Sequence, residues 1–215
     1  AVITPFDIPD GKIAPDLAIL DKTVRFVGDE VAAVAADNEY IAQKALSLIN
    51  VKYKILPFVT NMNDALLPKA PKIHEDGNLV GGKPITLERG NVEEGFGKAD
   101  QIFEETFSTP AHSGSALEPR AALASWENTS LTVWKSSRGV HVDRFNISNA
   151  LKIPLSEVRV IGPTMGAGYG NKDETPLSII CALLAHRAQK PVRIELTREE
   201  EFIAGRKRHA TETTI

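Results

Sequence analysis

Residues 163–174, "PTMGAGYGNKDE", decide how this chain is read. Glycines alternate at Gly166, Gly168 and Gly170, Tyr169 stands among them, and Asn171, Lys172, Asp173 and Glu174 close the run. Without a Cβ, a glycine backbone can come very close to another group. The apolar "EVRVI" before the loop predicts a strand, and Pro176 after it opens a helix reaching about Gln189. Amides at such a helix start favour an anionic or strongly polar group. A tight turn whose glycines serve only dihedral or packing needs is the competing reading.

Two nucleotide motifs fail here. A P-loop needs G-x-x-x-x-G-K followed by Ser or Thr, whereas Lys172 follows Asn171 and precedes Asp173. A dinucleotide fingerprint needs G-x-G-x-x-G, whereas the spacing is G-x-G-x-G, with no acidic residue ending a second strand at the expected distance.

Working outward, "ALASWENTSLTVWK" predicts a hairpin turning at Asn128-Thr129, and a short helix over about 142–151 precedes Pro154. "PVRIEL" predicts a strand, and "TREEEFIAG" a short helix with Thr197 as N-cap. Towards the N-terminus, residues 23–36 read as extended segments around a turn at Gly28-Asp29. Asp37 is expected to cap a helix striped by Ile41, Ala45 and Leu48. "VKYKIL" alternates Val51, Tyr53 and Ile55 with lysines, as a half-buried strand does, and "QIFEETFST" places Phe103 and Phe107 on one strand face. Between these parts, residues 68–97 are rich in Pro, Gly and Asn and read as a connection between two domains.

Composition sets the bounds. A chain of 215 residues holds one large or two modest domains, and 42% hydrophobic with 25% charged residues is ordinary for a globular protein. A net charge of −3 gives no electrostatic case for nucleic acid or membrane partners. No apolar run is long enough for a transmembrane helix, and no signal-peptide pattern is present. Cys181 is the lone cysteine, so the chain by itself forms no disulfide, no cysteine-based zinc site and no iron–sulfur cluster. Its setting in "LSIICALLAH" predicts a buried core thiol. The chain begins with Ala and ends at "TETTI", and is read as a piece of something longer.

Several segments, in order over nearly the whole chain, resemble the molybdenum-cofactor subunit of the xanthine dehydrogenase and aldehyde oxidoreductase family. They are "AVITPFDIP", "VRFVGDEVAAVAADNEYIAQKAL" with "VKYKILPFV", "GNVEEGFGKADQIFEETFSTPAHSGSALEPRAALASW", "MGAGYGNKDE" and "RIELTREEEFIAGRKRH". The resemblance implies an α+β fold: a partial α/β hammerhead domain (1–67), an inter-domain linker (68–97) and the first part of the molybdopterin-binding domain (98–215). It implies hydroxylation of an aldehyde or a purine-like N-heterocycle with water as oxygen donor. The implied cofactor is molybdopterin, in its cytosine dinucleotide form, carrying molybdenum. Electrons would leave through iron–sulfur clusters and FAD on partner domains or subunits, in the cytoplasm. The general-base Glu of the family is expected beyond Ile215, so this piece alone is expected to be inactive.

Residue by residue, the resemblance gives Tyr169 the aromatic slot beside the metal, with the Gly166, Gly168 and Gly170 backbone approaching the cofactor. An ordinary core aromatic is the other reading of Tyr169. Arg138, in "VWKSSRGVH", takes the slot of a Gln that hydrogen-bonds a molybdenum ligand; it can serve there, bind a phosphate, or point to solvent. Asp173 occupies a substrate-facing slot usually held by Glu, with Glu174 beside it; both equally suit the first turn of the following helix. Asn171 stands where the family usually has Gly, and tolerates left-handed dihedrals better than most residues. Glu118 reads as one half of a structural charge pair, and His112, His141 and His209 as structural or surface residues. Arg138 and Asn171 also fit a non-catalytic relative or assembly module that keeps the fold without the cofactor geometry.

Overall fold

Alternating apolar residues along 121–135 build the main sheet. The computed structural model describes residues 1–8, 12–14, 17–173 and 176–215. In chain order its elements are β1 (Val2–Ile3), β2 (Lys12–Ala14), β3 (Leu17–Ala18), β4 (Ala33–Val34), α1 (Glu39–Leu46), α2 (Met62–Ala65), α3 (Val92–Lys98) and β5 (Thr106–Thr109). There follow β6 (Ala121–Glu127), β7 (Ser130–Lys135), α4 (Val140–Leu151), β8 (Val158–Ile161), α5 (Pro176–Ala188), β9 (Val192–Glu195), α6 (Arg198–Ile203) and β10 (Thr211–Thr214).

The chain divides into two compact units, Ala1–Asn50 with Ala111–His209, and Val51–Pro110 with Ala210–Ile215. The sequence places its division across 68–97 instead.

In the first unit the sheet order is β8-β7-β6-β9. The β6–β7 hairpin turns where expected, with Asn128 at φ 54°, a left-handed backbone that Asn tolerates. β8 returns parallel to β7 through α4, so that Leu131 faces Val158 across the ladder. The buried face of β6 and β7, with Ala122, Ala124, Leu131 and Val133, packs against α5. That helix buries Ile179, Ile180, Cys181, Ala182 and Leu184 in close succession, because protein covers it on several sides. Cys181 is a core thiol, as its setting suggests, and burial pushes its pKa up to about 12. α6 carries the predicted cap: Thr197 accepts from the Glu200 N–H, and the Glu200 carboxylate accepts from the Thr197 N–H.

The N-terminal elements need correction. Within residues 23–36 only β4 forms a strand, antiparallel to β1. The turn at Gly28 is present with φ 116°, and a Cβ there would lie 2.0 Å from the Ile203 carbonyl oxygen. Asn38, not Asp37, caps α1, because Asn38 has the extended backbone and accepts from the Ile41 N–H at 2.9 Å. Asp37 is exposed and lies 3.5 Å from the Lys190 ammonium.

The second unit departs further. No strand forms over residues 51–56, and Val51, Tyr53 and Ile55 are exposed. Alternation makes a strand only where a neighbour takes its ladder bonds and a face covers its apolar side. The strand expected from residue 101 is shortened to β5, which pairs antiparallel with β10, Thr106 opposite Thr214. The stretch 68–97 is partly ordered: α3 begins in it, capped by Asn91. Asn78 ties the unit together by donating to the Ala65 and Pro71 carbonyls and accepting from the Ile73 N–H. Among the described residues, no helix is long and apolar enough to cross a membrane.

Candidate functional site

The strand–loop–helix plan holds: β8 leads into the glycine loop, a short turn over Asn171–Asp173 follows, and α5 begins at Pro176. Tyr169 and Gly170 are left-handed, at φ 49° and 93°, and the Asn171 N–H donates to the Gly168 carbonyl at 2.9 Å. For a residue with a Cβ, that conformation is disfavoured by roughly 1–2 kcal/mol. Tyr169 is 69% exposed, so the core-aromatic reading is replaced by one in which the loop holds the ring outward. The left-handed position falls on Tyr169 rather than Asn171, which is helical and buried. Asn171 keeps an unmet need instead: its Nδ2 is buried without a hydrogen-bond partner, as is the Ser113 hydroxyl.

The glycines differ in what they answer to. At Gly166 a Cβ would lie 3.0 Å from a Glu118 carboxylate oxygen, and Gly170 needs its positive φ. At Gly168 a Cβ would meet only Met165 atoms at 3.6 Å and the Lys172 Cβ at 4.0 Å, which is ordinary contact. Nothing in the described chain itself excludes a side chain there.

Glu118 is tied into the loop. Ser136 donates to Oε1 at 2.8 Å, and the Gly166 N–H donates to Oε2 at 2.6 Å. The Lys172 ammonium donates to the same Oε2. The Lys172 ammonium, foremost, holds the Glu118 carboxyl down at about 2, and the Ser136 and Gly166 donors add to it while burial acts the other way. This confirms the charge pair expected of Glu118. Its partners lie 18, 48 and 54 residues away, where no sequence spacing signals them.

Two of the predicted site residues meet. An Arg138 Nη2 lies 2.9 Å from an Asp173 carboxylate oxygen, with side chains 76% and 20% exposed. Glu174 lies outside the described residues. Two further ion pairs are buried, Arg120 with Glu201 and Lys135 with Asp143. Among the described residues, no group of His, Cys, Asp and Glu could hold a metal ion. His112 instead exchanges backbone bonds with Arg208. A cavity of about 320 Å³, lined by Gly28, Asp29, Arg120, Leu177 and Ile203 among others, includes none of the predicted site residues.

Residues 73–215 match the family described as molybdopterin cofactor-binding domain. The chain belongs to that family. Residues 1–57 match the aldehyde oxidase and xanthine dehydrogenase a/b hammerhead domain. The fold is therefore α+β, a hammerhead domain followed by a molybdopterin-binding region. The chain is 38% identical, over its full length, to a probable xanthine dehydrogenase subunit of Bacillus subtilis, of which it covers 29%. It is 35% identical over 92% of its length to the nicotinate dehydrogenase large molybdopterin subunit of Eubacterium barkeri, covering 46% of that protein. Reconstituted CO dehydrogenase from Oligotropha carboxidovorans shares the fold, with a TM-score of 0.79, 25% identity, and coverage of 94% of this chain and 28% of that one. The chain thus spans less than half the length of the relatives it matches.

Proposed function

We propose that this chain is part of a molybdenum hydroxylase, and that its glycine loop faces the cofactor. The observation that carries this reading is Gly168. Its own chain leaves room for a side chain there, yet the position is glycine, beside a tyrosine held outward in a strained backbone. Strain kept in an exposed aromatic loop is consistent with a loop shaped for something it meets. The residues fit the group: Gly168 and Gly170 offer close backbone approach, Tyr169 an aromatic face, and Arg138 guanidinium donors toward an oxygen-rich ligand. When bound, molybdopterin with molybdenum, in the cytosine dinucleotide form, supplies the redox chemistry. The chain supplies shape, donors and charge.

The substrate proposed is an aldehyde or an N-heterocycle, oxidised with water as oxygen donor. Relatives named for xanthine and nicotinate support the heterocycle. Asp173 takes the substrate-facing role, with Glu174 beside it. Its carboxylate keeps acceptor capacity beyond the single bond from Arg138, so it can accept from a ring N–H or a hydroxyl. We further assign 1–67 to the hammerhead domain, 68–97 to the connection and 98–215 to the cofactor domain. Iron–sulfur and flavin groups sit on partner domains or subunits, the general base lies in sequence beyond Ile215, and the assembly works in the cytoplasm.

The test is Gly168→Val in the full-length subunit. Molybdenum content is expected to fall severalfold, while the melting temperature stays close to that of the parent. Unchanged molybdenum content and turnover would count against the loop's role. A second reading, a relative that keeps the fold without a working cofactor site, is favoured by the engagement of Arg138 with Asp173 and by the unmet Asn171 donor. Absence of molybdenum from the unmutated subunit would select it.

A further inference from the structure

We infer that Glu118 is a positioning residue, whose carboxylate sets the shape of the glycine loop and aligns it with the segment that carries Arg138. This rests on the reading that the loop faces the cofactor.

Both carboxylate oxygens are engaged, and by different parts of the chain. Ser136 donates to one, and the Gly166 N–H and the Lys172 ammonium donate to the other. Ser136 lies two residues before Arg138, and Lys172 immediately precedes Asp173. Each partner of the Arg138–Asp173 pair therefore sits beside a residue that Glu118 holds. Moving the carboxylate moves both.

The loop is also shaped to receive that carboxylate. A Cβ on Gly166 would lie 3.0 Å from Oε2 and 3.1 Å from the Glu118 Cβ, so a side chain there would push the Glu118 side chain aside by a few tenths of an ångström. The Lys172 side chain is 2% exposed, and an ammonium removed from water needs a charged partner. Glu118 is itself held. Two residues on, the Arg120 backbone N–H and guanidinium both donate to the buried Glu201 carboxylate, and an Arg120 Nη donates to the Ala204 carbonyl at 2.9 Å. Anchor, carboxylate and loop form one chain of contacts running from α6 to the loop.

A merely structural ion pair and a positioning residue predict different things when the charge is removed from both partners. Replacing a buried pair with apolar residues often preserves stability, whereas leaving one charge alone does not. A positioning role needs the three donors to converge, and no apolar pair reproduces that. The experiment uses the full-length subunit with its partners, as Glu118→Gln and as the double variant Glu118→Met/Lys172→Met. Molybdenum per subunit, melting temperature and amide hydrogen exchange over residues 163–173 are measured. Exchange is read on protein from a host that makes no molybdopterin, so that it reports the loop without cofactor.

In Glu118→Gln, loop amides are expected to exchange roughly tenfold or more faster, as loss of a charge-assisted bond implies, and molybdenum content should fall severalfold. The double variant should regain melting temperature but neither loop protection nor molybdenum. Wild-type exchange and molybdenum in Glu118→Gln, or recovery of both in the double variant, overturns the proposal. Should Glu118→Gln fail to fold, the double variant carries the measurement. If the parent subunit holds no molybdenum, the cofactor reading fails separately. Exchange alone then decides: faster loop exchange supports the positioning role, and unchanged exchange overturns it.

Discussion

Residues 1–50 and 111–209 bury Leu131, Val133, Ile147, Ile179 and Leu184 completely, whereas in residues 51–110 the side chains of Ile85, Leu87 and Phe103 stand open. Both stretches are supplied with large apolar residues, so composition does not separate them. What differs is the presence of long elements with complementary faces. The first unit has a hairpin of the seven-residue β6 and the six-residue β7, with the thirteen-residue α5 to lay on it. The second has α2, α3 and the β5–β10 ladder, which are short and leave their apolar residues exposed. Burial follows from elements that can cover one another, and hydrophobicity alone does not secure it.

The largest expected effect tests that contrast at its strong end. Leu184→Ala, in the buried α5, should destabilise the protein by about 2–5 kcal/mol, read from denaturant midpoints. A loss under about 1 kcal/mol would mean that the first unit is not close-packed there.

Next, the exposed part of the first unit should separate stability from activity. If Asp173 faces the substrate as proposed, Asp173→Ala in the full-length subunit should lower kcat/KM on the heterocycle or aldehyde it turns over by the equivalent of about 1–3 kcal/mol. Its melting temperature should change little, because the Arg138 side of the pair is largely exposed. The reverse pattern, lost stability with intact kinetics, would place Asp173 in helix support instead.

A pH series sharpens the same line. Glu118 is held at about 2, below its ordinary 4.5, so its contribution is fully present above about 4.5 and is lost as pH falls toward about 2. Unfolding free energy should therefore drop across that window in the parent and drop less steeply in Glu118→Gln. Parallel pH profiles would show that the carboxylate is not bound more tightly in the folded state.

The smallest effect belongs to the open unit. Leu87→Ala should change stability by no more than about 0.5 kcal/mol, measured by denaturation of this chain. A cost comparable to that of Leu184→Ala would erase the distinction between the two regions.

Much of the cofactor region is legible in the sequence, since its signals are local. The Asn128-Thr129 turn, the Thr197 capping box and the helix opened at Pro176 each depend on residues within a few positions of one another. The glycine loop was legible as a place of close approach for the same reason. Where a local rule had two adjacent candidates it slipped by one, placing the α1 cap on Asp37 rather than Asn38. Where the signal needed a partner it failed, as in "VKYKIL", whose alternation finds no strand beside it.

By itself, then, the sequence determined the order of strands and helices around the loop and the family to which the chain belongs. Tertiary structure alone decided that Tyr169 faces outward, that Arg138 meets Asp173, and that Glu118 gathers donors from 18, 48 and 54 residues away. The reason is physical. Caps and turns are satisfied by neighbours along the chain, whereas a carboxylate drawn partly out of water finds its donors only after the chain has closed long loops around it.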